Sequence, residues 1–248
     1  MAMHFRAFGH HKRGNSAEEY EDAFAADPPS GRFAIADGAS ETSFAALWAK
    51  LLVEKFIRAP LADAKLWEEW LTPLQALWAR QVNGQQLEWY AEEKAQQGAF
   101  ATFMGIIVKQ SRWQAIGVGD CCCFQIRGDK LFRAFPLSRS DQFTNNPGLL
   151  GSRTGPTRMG EKQQFQAVGD WKSSDRLLLM TDALAQWFLT QSEKGKKPWE
   201  AVRPLLEQPI TKQAFAAWIE KLRDKEGLRN DDVTLLALKL QKLTHHEK

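Results

Sequence analysis

The interior of this chain lacks histidine. Only five of its 248 residues are histidines, and they lie near the two ends of the sequence: His4, His10, His11, His245 and His246. A Ser-His-Asp triad or a Cys-His pair would require a terminal histidine to fold back onto the nucleophile. A zinc site would lack its usual nitrogen ligands. If the chain is an enzyme, the chemistry that remains is that of carboxylates and the metal ions they bind.

Cysteine is also scarce. The three cysteines are consecutive, Cys121 to Cys123, and neighbouring residues cannot readily form an ordinary disulfide. No CxxC spacing is present to indicate a redox motif. We therefore expect small apolar core residues in a reducing cytoplasm. In a strand, alternation would point Cys121 and Cys123 to one face and Cys122 to the other.

Long hydrophobic runs are missing as well, and the charges are balanced. No apolar stretch approaches the roughly 20 residues of a membrane span, and the basic N-terminal segment has no apolar run typical of a signal peptide. The 33 basic and 30 acidic residues give a formal net charge of +3, which does not by itself indicate a nucleic-acid partner. The sequence predicts a cytoplasmic protein that binds neither membrane nor nucleic acid.

Three hydrophobic runs of the chain end in aspartate. FAIAD ends at Asp37, QAIGVGD at Asp120 and LLLMTD at Asp182. A short apolar run flanked by turn residues is typical of a buried strand, so each aspartate should lie at a strand end, where binding loops gather. Two acidic pairs flank this set: Glu21 with Asp22, and Asp231 with Asp232.

Local roles explain any one of these aspartates, because Asp caps helices and opens turns. Asp182, for example, could cap a helix formed by ALAQWFL. A cluster is different, since burying several carboxylates together is very costly unless cations neutralise them. Hard divalent ions prefer sites made only of oxygen ligands. The set as a whole therefore predicts Mg²⁺ or Mn²⁺.

The hydrophobic pattern predicts an α+β fold in one domain, residues 1–248. Strands are expected near 33–36, 101–109, 113–118, 121–127, 131–135, 164–168, 176–180 and 233–240. Most are joined by short links, which favours antiparallel pairing. Helices are expected over 44–56, 61–79, 87–97, 198–207 and 212–225. Five of the ten tryptophans fall in the first three helices, where an aromatic docking surface is one interpretation and packing onto a sheet is the favoured one.

Six segments carry a family resemblance. They are EDAF from Glu21, ADGAS from Ala36, GAFATFMGIIV from Gly98, GVGDCCCFQI from Gly117, TDALAQWF from Thr181 and NDDVTLLAL from Asn230. In this order they resemble the successive motifs of the metal-dependent protein phosphatases of type 2C, over nearly the whole chain. The resemblance implies a four-layer sandwich of two antiparallel sheets packed face to face, with helices on both outer sides. It also implies a pair of metal ions in a cleft at one end.

The same resemblance assigns roles to the acidic motifs. Asp37 would bridge the two metal ions, and the carbonyl group of Gly38 would complete a site. Asp182 and Asp231 would hold one ion together with Asp37. No side chain would act as the nucleophile, because two neighbouring divalent ions can activate a shared water for attack on the phosphate.

Three further acidic residues complete the implied metal centre. Glu21 and Asp22 would bind or orient waters around the second ion. Asp120 matches the position that helps to hold a third ion in bacterial members of the family. The resemblance therefore implies two Mn²⁺ or Mg²⁺ ions and allows a third.

The chain departs from the family pattern where the substrate phosphate binds. The family usually places a phosphate-binding arginine four residues before the first glutamate, and this chain has Ala17 there. Arg13 or Lys12, just upstream, could supply the missing charge. Arg13 is the preferred candidate, because a guanidinium group can hold phosphate through two parallel hydrogen bonds.

Other departures affect the metal motifs. The usual DGHG becomes DGAS, which places Ala39 after Gly38, and the usual SDG becomes TDA. Ala183 is tolerable there only if its φ is negative. The usual DN pair becomes Asp231 and Asp232, which keeps the metal-binding carboxylate and adds one charge.

Together these features predict an enzyme that hydrolyses phosphoserine and phosphothreonine in proteins, as a monomer and as the counterpart of a serine/threonine kinase. One alternative is a binding or regulatory module that keeps the fold but turns over poorly, which the loss of the arginine at Ala17 makes conceivable. The other is a phosphatase of small phosphorylated metabolites, which would bury its ligand in a deeper pocket.

Overall fold

Eleven strands and five helices make up the described part of the chain, which is residues 2–39, 44–83, 96–153 and 164–241 of a computed structural model. The strands are β1 (Ala2–His10), β2 (Ala23–Asp27), β3 (Arg32–Gly38), β4 (Phe100–Lys109), β5 (Arg112–Val118), β6 (Cys122–Arg127), β7 (Lys130–Phe135), β8 (Leu150–Gly151), β9 (Gln164–Asp170), β10 (Asp175–Met180) and β11 (Val233–Gln241). The helices are α1 (Ala45–Arg58), α2 (Trp67–Asn83), α3 (Asp182–Glu193), α4 (Pro198–Glu207) and α5 (Lys212–Lys225).

The strands form two antiparallel sheets. The first has the order β1-β11-β10-β6-β7, and the second has the order β2-β3-β4-β5-β9 with β8 paired to β4. Helices α3, α4 and α5 cover the outer face of the first sheet, while α1 and α2 cover the outer face of the second. A third hydrophobic cluster lies between the sheets. The predicted four-layer α+β sandwich is confirmed.

Strand β10 illustrates why the central strands are apolar throughout. Leu177 and Leu179 point into the layer between the sheets, whereas Leu178 and Met180 point outward against the helices. Both faces of the strand are therefore buried, and a polar side chain on either face would lose its water without a partner. This is why LLLM shows no alternation of apolar and polar residues.

The cysteines occupy the faces that strand alternation predicts. Cys121 and Cys123 belong to the cluster between the sheets, and Cys122 to the cluster under the helices. All three are buried free thiols. Burial also raises the pKa of each thiol, so none is poised as a thiolate.

Some elements differ from the sequence-based prediction. Strands β1, β2 and β8 were not predicted, and β1 pairs with β11 along its whole length, from Ala2 opposite Gln241 to His10 opposite Val233. Helix α2 begins at Trp67 rather than at residue 61, because the Asp63 carboxylate accepts the N–H of Lys65 (3.0 Å) and starts a short 3₁₀ turn. The helix predicted over 87–97 lies mostly outside the described residues. Across the described ranges, no helix has the length and apolarity needed to cross a bilayer.

The tryptophans of the first helices pack onto the second sheet, as predicted. Four of the five are buried: Trp48, Trp67, Trp70 and Trp78; Trp89 lies outside the described residues. Trp67 and Trp70 meet Phe103 of β4, with ring centroids 6.1 and 5.8 Å from that of Phe103, and Phe56 of α1 contacts Phe103 at 5.6 Å. Phe103 therefore joins both helices to the sheet.

Replacing Phe103 by alanine should lower the free energy of unfolding by roughly 3–5 kcal/mol, because three aromatic side chains would be left around a cavity. Urea unfolding monitored by circular dichroism would measure this loss. Phe24→Ala is the control, since the Phe24 side chain is already 42% exposed. Equal losses in the two variants would contradict the central role of Phe103.

Candidate metal centre

Aspartates from four segments meet at one end of the sandwich. Asp37 is the second-last residue of β3, Asp120 lies in the turn between β5 and β6, Asp182 begins α3 directly after β10, and Asp231 precedes β11. They line a cleft of about 890 Å³ together with other residues of the described chain: Gly38, Ala39, Gln97, Phe100, Thr102, Thr144, Asn145, Asn146, Pro147, Leu149 and Arg229. The structure thus brings together the three strand-end aspartates and Asp231.

The carboxylates raise one another's pKa. Burial raises the pKa of Asp37 well above its ordinary value, and the charges of Asp22 and Asp182 raise it further. Burial and the charge of Asp182 raise the pKa of Asp120 to about 7. Shifts of this kind arise when carboxylates share a desolvated site with too little positive charge. The site therefore favours the arrival of cations.

Asp22 joins this cluster from the loop before β2. The side chain is buried, and its Oδ2 accepts hydrogen bonds from the hydroxyl groups of Thr181 (3.0 Å) and Thr234 (2.8 Å). Within the described part of the chain, its Oδ1 has no hydrogen-bond partner, and neither does Oδ1 of Asp120. Buried carboxylate oxygens without hydrogen-bond donors are costly, and such oxygens are the ligands that hard metal ions prefer. The donor set fits Mg²⁺ or Mn²⁺.

Asp232, the extra acid of the last motif, has a structural role. Its two oxygens accept the backbone N–H groups of Lys12 and Glu21, each at 2.7 Å. These bonds tie the segment after β1 to the start of β11 and place Glu21 beside the cluster. Asp232 does not line the cleft.

Two glycines allow the acidic loops to approach one another. A Cβ atom on Gly38 would lie 2.7 Å from the carbonyl oxygen of Glu21. Gly119, which precedes Asp120, has φ +94°, and a Cβ atom there would lie 2.7 Å from the carbonyl oxygen of Gly148. Side chains at these positions would push the acidic segments apart. Ala183, by contrast, lies in the first turn of α3, where its φ is negative, as the substitution of glycine requires.

Arg229 is the cleft residue that sequence reasoning missed. Its guanidinium group donates to the Asp182 carboxylate and to Asp231 (3.2 Å). Among the described residues, no three acidic, histidine or cysteine side chains stand ready as a complete metal shell. Two of the expected ligands, Asp182 and Asp231, instead pair with Arg229. The only signal in the sequence was the position of this arginine two residues before Asp231.

The structure does not bring Arg13 to the cleft. Its guanidinium group donates to Glu220 and Asp224 of α5, each at 2.8 Å, and its backbone N–H donates to the Asn230 side chain. Lys12 contributes its backbone N–H to Asp232 and does not line the cleft. His10 does return to the neighbourhood of the acidic motifs, as the partner of Val233, but its ring contacts Glu220 at 3.2 Å.

Comparison with known proteins supports the family resemblance. The family model described as protein phosphatase 2C matches residues 9–222 of the chain. No curated protein matches it in sequence.

Solved structures share the fold at low sequence identity. The catalytic domain of the serine/threonine protein phosphatase PstP, solved with two manganese ions, is 18% identical with a TM-score of 0.62, over 97% of this chain and 99% of that one. PstP/Ppp of Mycobacterium tuberculosis is 18% identical with a TM-score of 0.61, over 98% of this chain and 100% of that one. Stp1 of Staphylococcus aureus is 15% identical with a TM-score of 0.60, over 98% of this chain and 96% of that one. At these identities the likeness shows the fold alone.

Replacing Gly38 by alanine should weaken Mn²⁺ binding roughly ten- to hundredfold, the range typical when the residues that position metal ligands are disturbed. The new methyl group would displace the Glu21 carbonyl and with it the loop that carries Asp22. Isothermal titration calorimetry would measure the affinity. Gly128→Ala is the control: it strains a left-handed turn that lies outside the cleft and meets no atom within 4 Å. Equal Mn²⁺ affinity in both variants would contradict the role given to Gly38.

Proposed function

The chain belongs to the protein phosphatase 2C family, and on that premise we propose that it hydrolyses phosphoserine and phosphothreonine in proteins with divalent metal ions held at the end of the sandwich. The observation that carries the proposal is the carboxylate cluster itself. Burial and mutual repulsion raise the pKa of Asp22, Asp37, Asp120 and Asp182, which cluster at one end of the sandwich. A fold freed from catalysis would have no physical need for such a cluster, which favours an enzyme over a binding module.

The metal ligands follow from the family resemblance and fit the positions of the carboxylates. Asp37, Asp182 and Asp231 would hold one ion, and Asp37 with the Gly38 carbonyl would reach the second. When bound, such ions supply a nucleophilic water and neutralise phosphate oxygens. The chain's own contribution is to hold these carboxylates close together and fixed in place.

The remaining acidic residues would act around this core. Asp22 is oriented by Thr181 and Thr234, and with Glu21 it would bind or orient waters of the second ion. Asp120 would help to hold a third ion.

The rim of the cleft supports a protein substrate over a small metabolite. Thr144, Asn145 and Asn146 line the cleft and are exposed. A metabolite site would bury most of its ligand under apolar walls. An exposed polar rim leaves room for a phosphorylated side chain that projects from a larger partner. We further propose that the enzyme opposes a serine/threonine kinase, and that it works as a monomer in the cytoplasm.

The purified protein should hydrolyse p-nitrophenyl phosphate in the presence of Mn²⁺ or Mg²⁺ and should stop when a chelator is added. Phosphoserine and phosphothreonine peptides should be better substrates, by kcat/KM, than small phosphorylated metabolites. Turnover that resists chelation would rule out the metal mechanism. A preference for metabolites would instead move the assignment to the alternative substrate class.

Asp37→Asn and Asp182→Asn should each reduce turnover by orders of magnitude, because each removes charge that holds a catalytic metal. Asp37→Asn should at the same time preserve or raise the metal-free melting temperature. The raised pKa of Asp37 means that its charge destabilises the fold at neutral pH, so the neutral amide relieves repulsion.

Activity assays, calorimetry and thermal unfolding would check these variants. Asp129→Asn is the matched control, because Asp129 lies in the turn between β6 and β7 and pairs with Lys197. Two ions binding to Asp37→Asn with unchanged affinity would show that Asp37 is not the bridging ligand.

A further inference from the structure

Arg229 is the one basic side chain among the described residues that line the cleft. It pairs with Asp182 and Asp231, both of which the proposed function assigns to a metal ion. The guanidinium group is therefore held in the metal-free chain by the same negative charge that would attract the metal.

A guanidinium group and a metal ion compete for these oxygens. A metal ion takes the carboxylate lone pairs that otherwise accept hydrogen bonds from Arg229. If Arg229 leaves as the ion arrives, neither Asp182 nor Asp231 is left without a counter-charge at any stage, so the exchange avoids an uncompensated buried charge. The Arg229 side chain is 41% exposed, which leaves it room to turn toward the solvent of the cleft.

We propose that Arg229 is the phosphate-binding arginine of this protein, released by metal binding from Asp182 and Asp231 to grip the substrate phosphate. The inference rests on the proposed function. It accounts for Ala17, where the family's usual arginine is missing, by supplying the same fork of N–H donors from the loop before β11. The loop position differs, but the chemistry of a bidentate hydrogen bond to phosphate is the same.

Arg13 is less suited to this role. Its two partners, Glu220 and Asp224, lie on α5 and are not metal ligands, so metal binding would not release it. To reach a phosphate it would have to leave two carboxylates that keep their full charge. Arg229, by contrast, loses its partners when the metal binds.

Two calorimetric titrations test the proposal without relying on turnover. The first adds Mn²⁺ to the metal-free wild type, Arg229→Ala, Arg229→Lys and Arg203→Ala. Arg229→Ala should bind Mn²⁺ more tightly, by roughly two- to fivefold, the effect of removing one competing and partly exposed cation. Arg203→Ala should match the wild type, because Arg203 lies on α4, does not line the cleft, and has its Nε 4.0 Å from a Glu207 carboxylate oxygen, a weak ion pair.

The second titration adds inorganic phosphate to the same proteins, and also to Arg13→Ala, each loaded with Mn²⁺. Arg229→Ala should bind phosphate roughly ten- to a hundredfold more weakly, the range expected for a lost charged hydrogen bond. Arg229→Lys should be intermediate, because an ammonium group keeps the charge but not the fork. In a phosphopeptide assay the alanine variant should raise KM more than it lowers kcat.

Weaker Mn²⁺ binding in Arg229→Ala would show that the arginine supports the metal site, and would overturn the proposal. Unchanged phosphate affinity in Arg229→Ala would also overturn it, as would a loss of phosphate affinity in Arg13→Ala instead. A wild type that binds Mn²⁺ and phosphate through Arg229 but hydrolyses no phosphopeptide would refute the proposed function while leaving this inference standing. The two can therefore fail separately.

Discussion

Repulsion among buried and half-buried carboxylates is the main physical constraint on this structure. Asp22, Asp37, Asp120 and Asp182 lie close enough, and far enough from water, to raise one another's pKa at one end of the sandwich. Such a cluster lowers the stability of the metal-free fold at neutral pH, since the ionised form of each carboxyl group is less favourable in the fold than in water. The fold tolerates this cost because the same negative charge can bind divalent ions.

The rest of the molecule holds that charge in place. Two covered sheets provide a core on both faces of the central strands, so the strand ends cannot move apart without exposing apolar surface. Hydroxyl groups of Thr181 and Thr234 fix one oxygen of Asp22, and Tyr20 bonds to Thr234 in turn. Asp232 anchors the segment between β1 and β2 by accepting two of its backbone N–H groups. The support is thus polar at the cluster and apolar beneath it.

Arg229 pairs with two carboxylates of the cluster and is the residue proposed to bind the substrate phosphate. A guanidinium group can donate to carboxylates or to a phosphate, since both offer negatively charged oxygens that accept its N–H groups. The loop before β11 places that group where either partner can be reached. Charge balance in the cleft then depends on which ligand is present, and this connects metal binding to phosphate binding through one side chain.

Much of this could be predicted from sequence, because short apolar runs and their alternation are local properties. The strands that end at Asp37, Asp120 and Asp182, and the faces taken by the three cysteines, follow from such patterns. Strand β1 was missed although MHFRA alternates apolar and polar residues; it is a half-buried edge strand that pairs with β11 from the far end of the described chain. The long-range polar contacts could not be predicted: Arg13 pairs with Glu220, and the backbone N–H of Glu21 donates to Asp232, each across about two hundred positions of chain. Pairing at such separations depends on how the loops are brought together by the packed core, and the tertiary structure alone decides it.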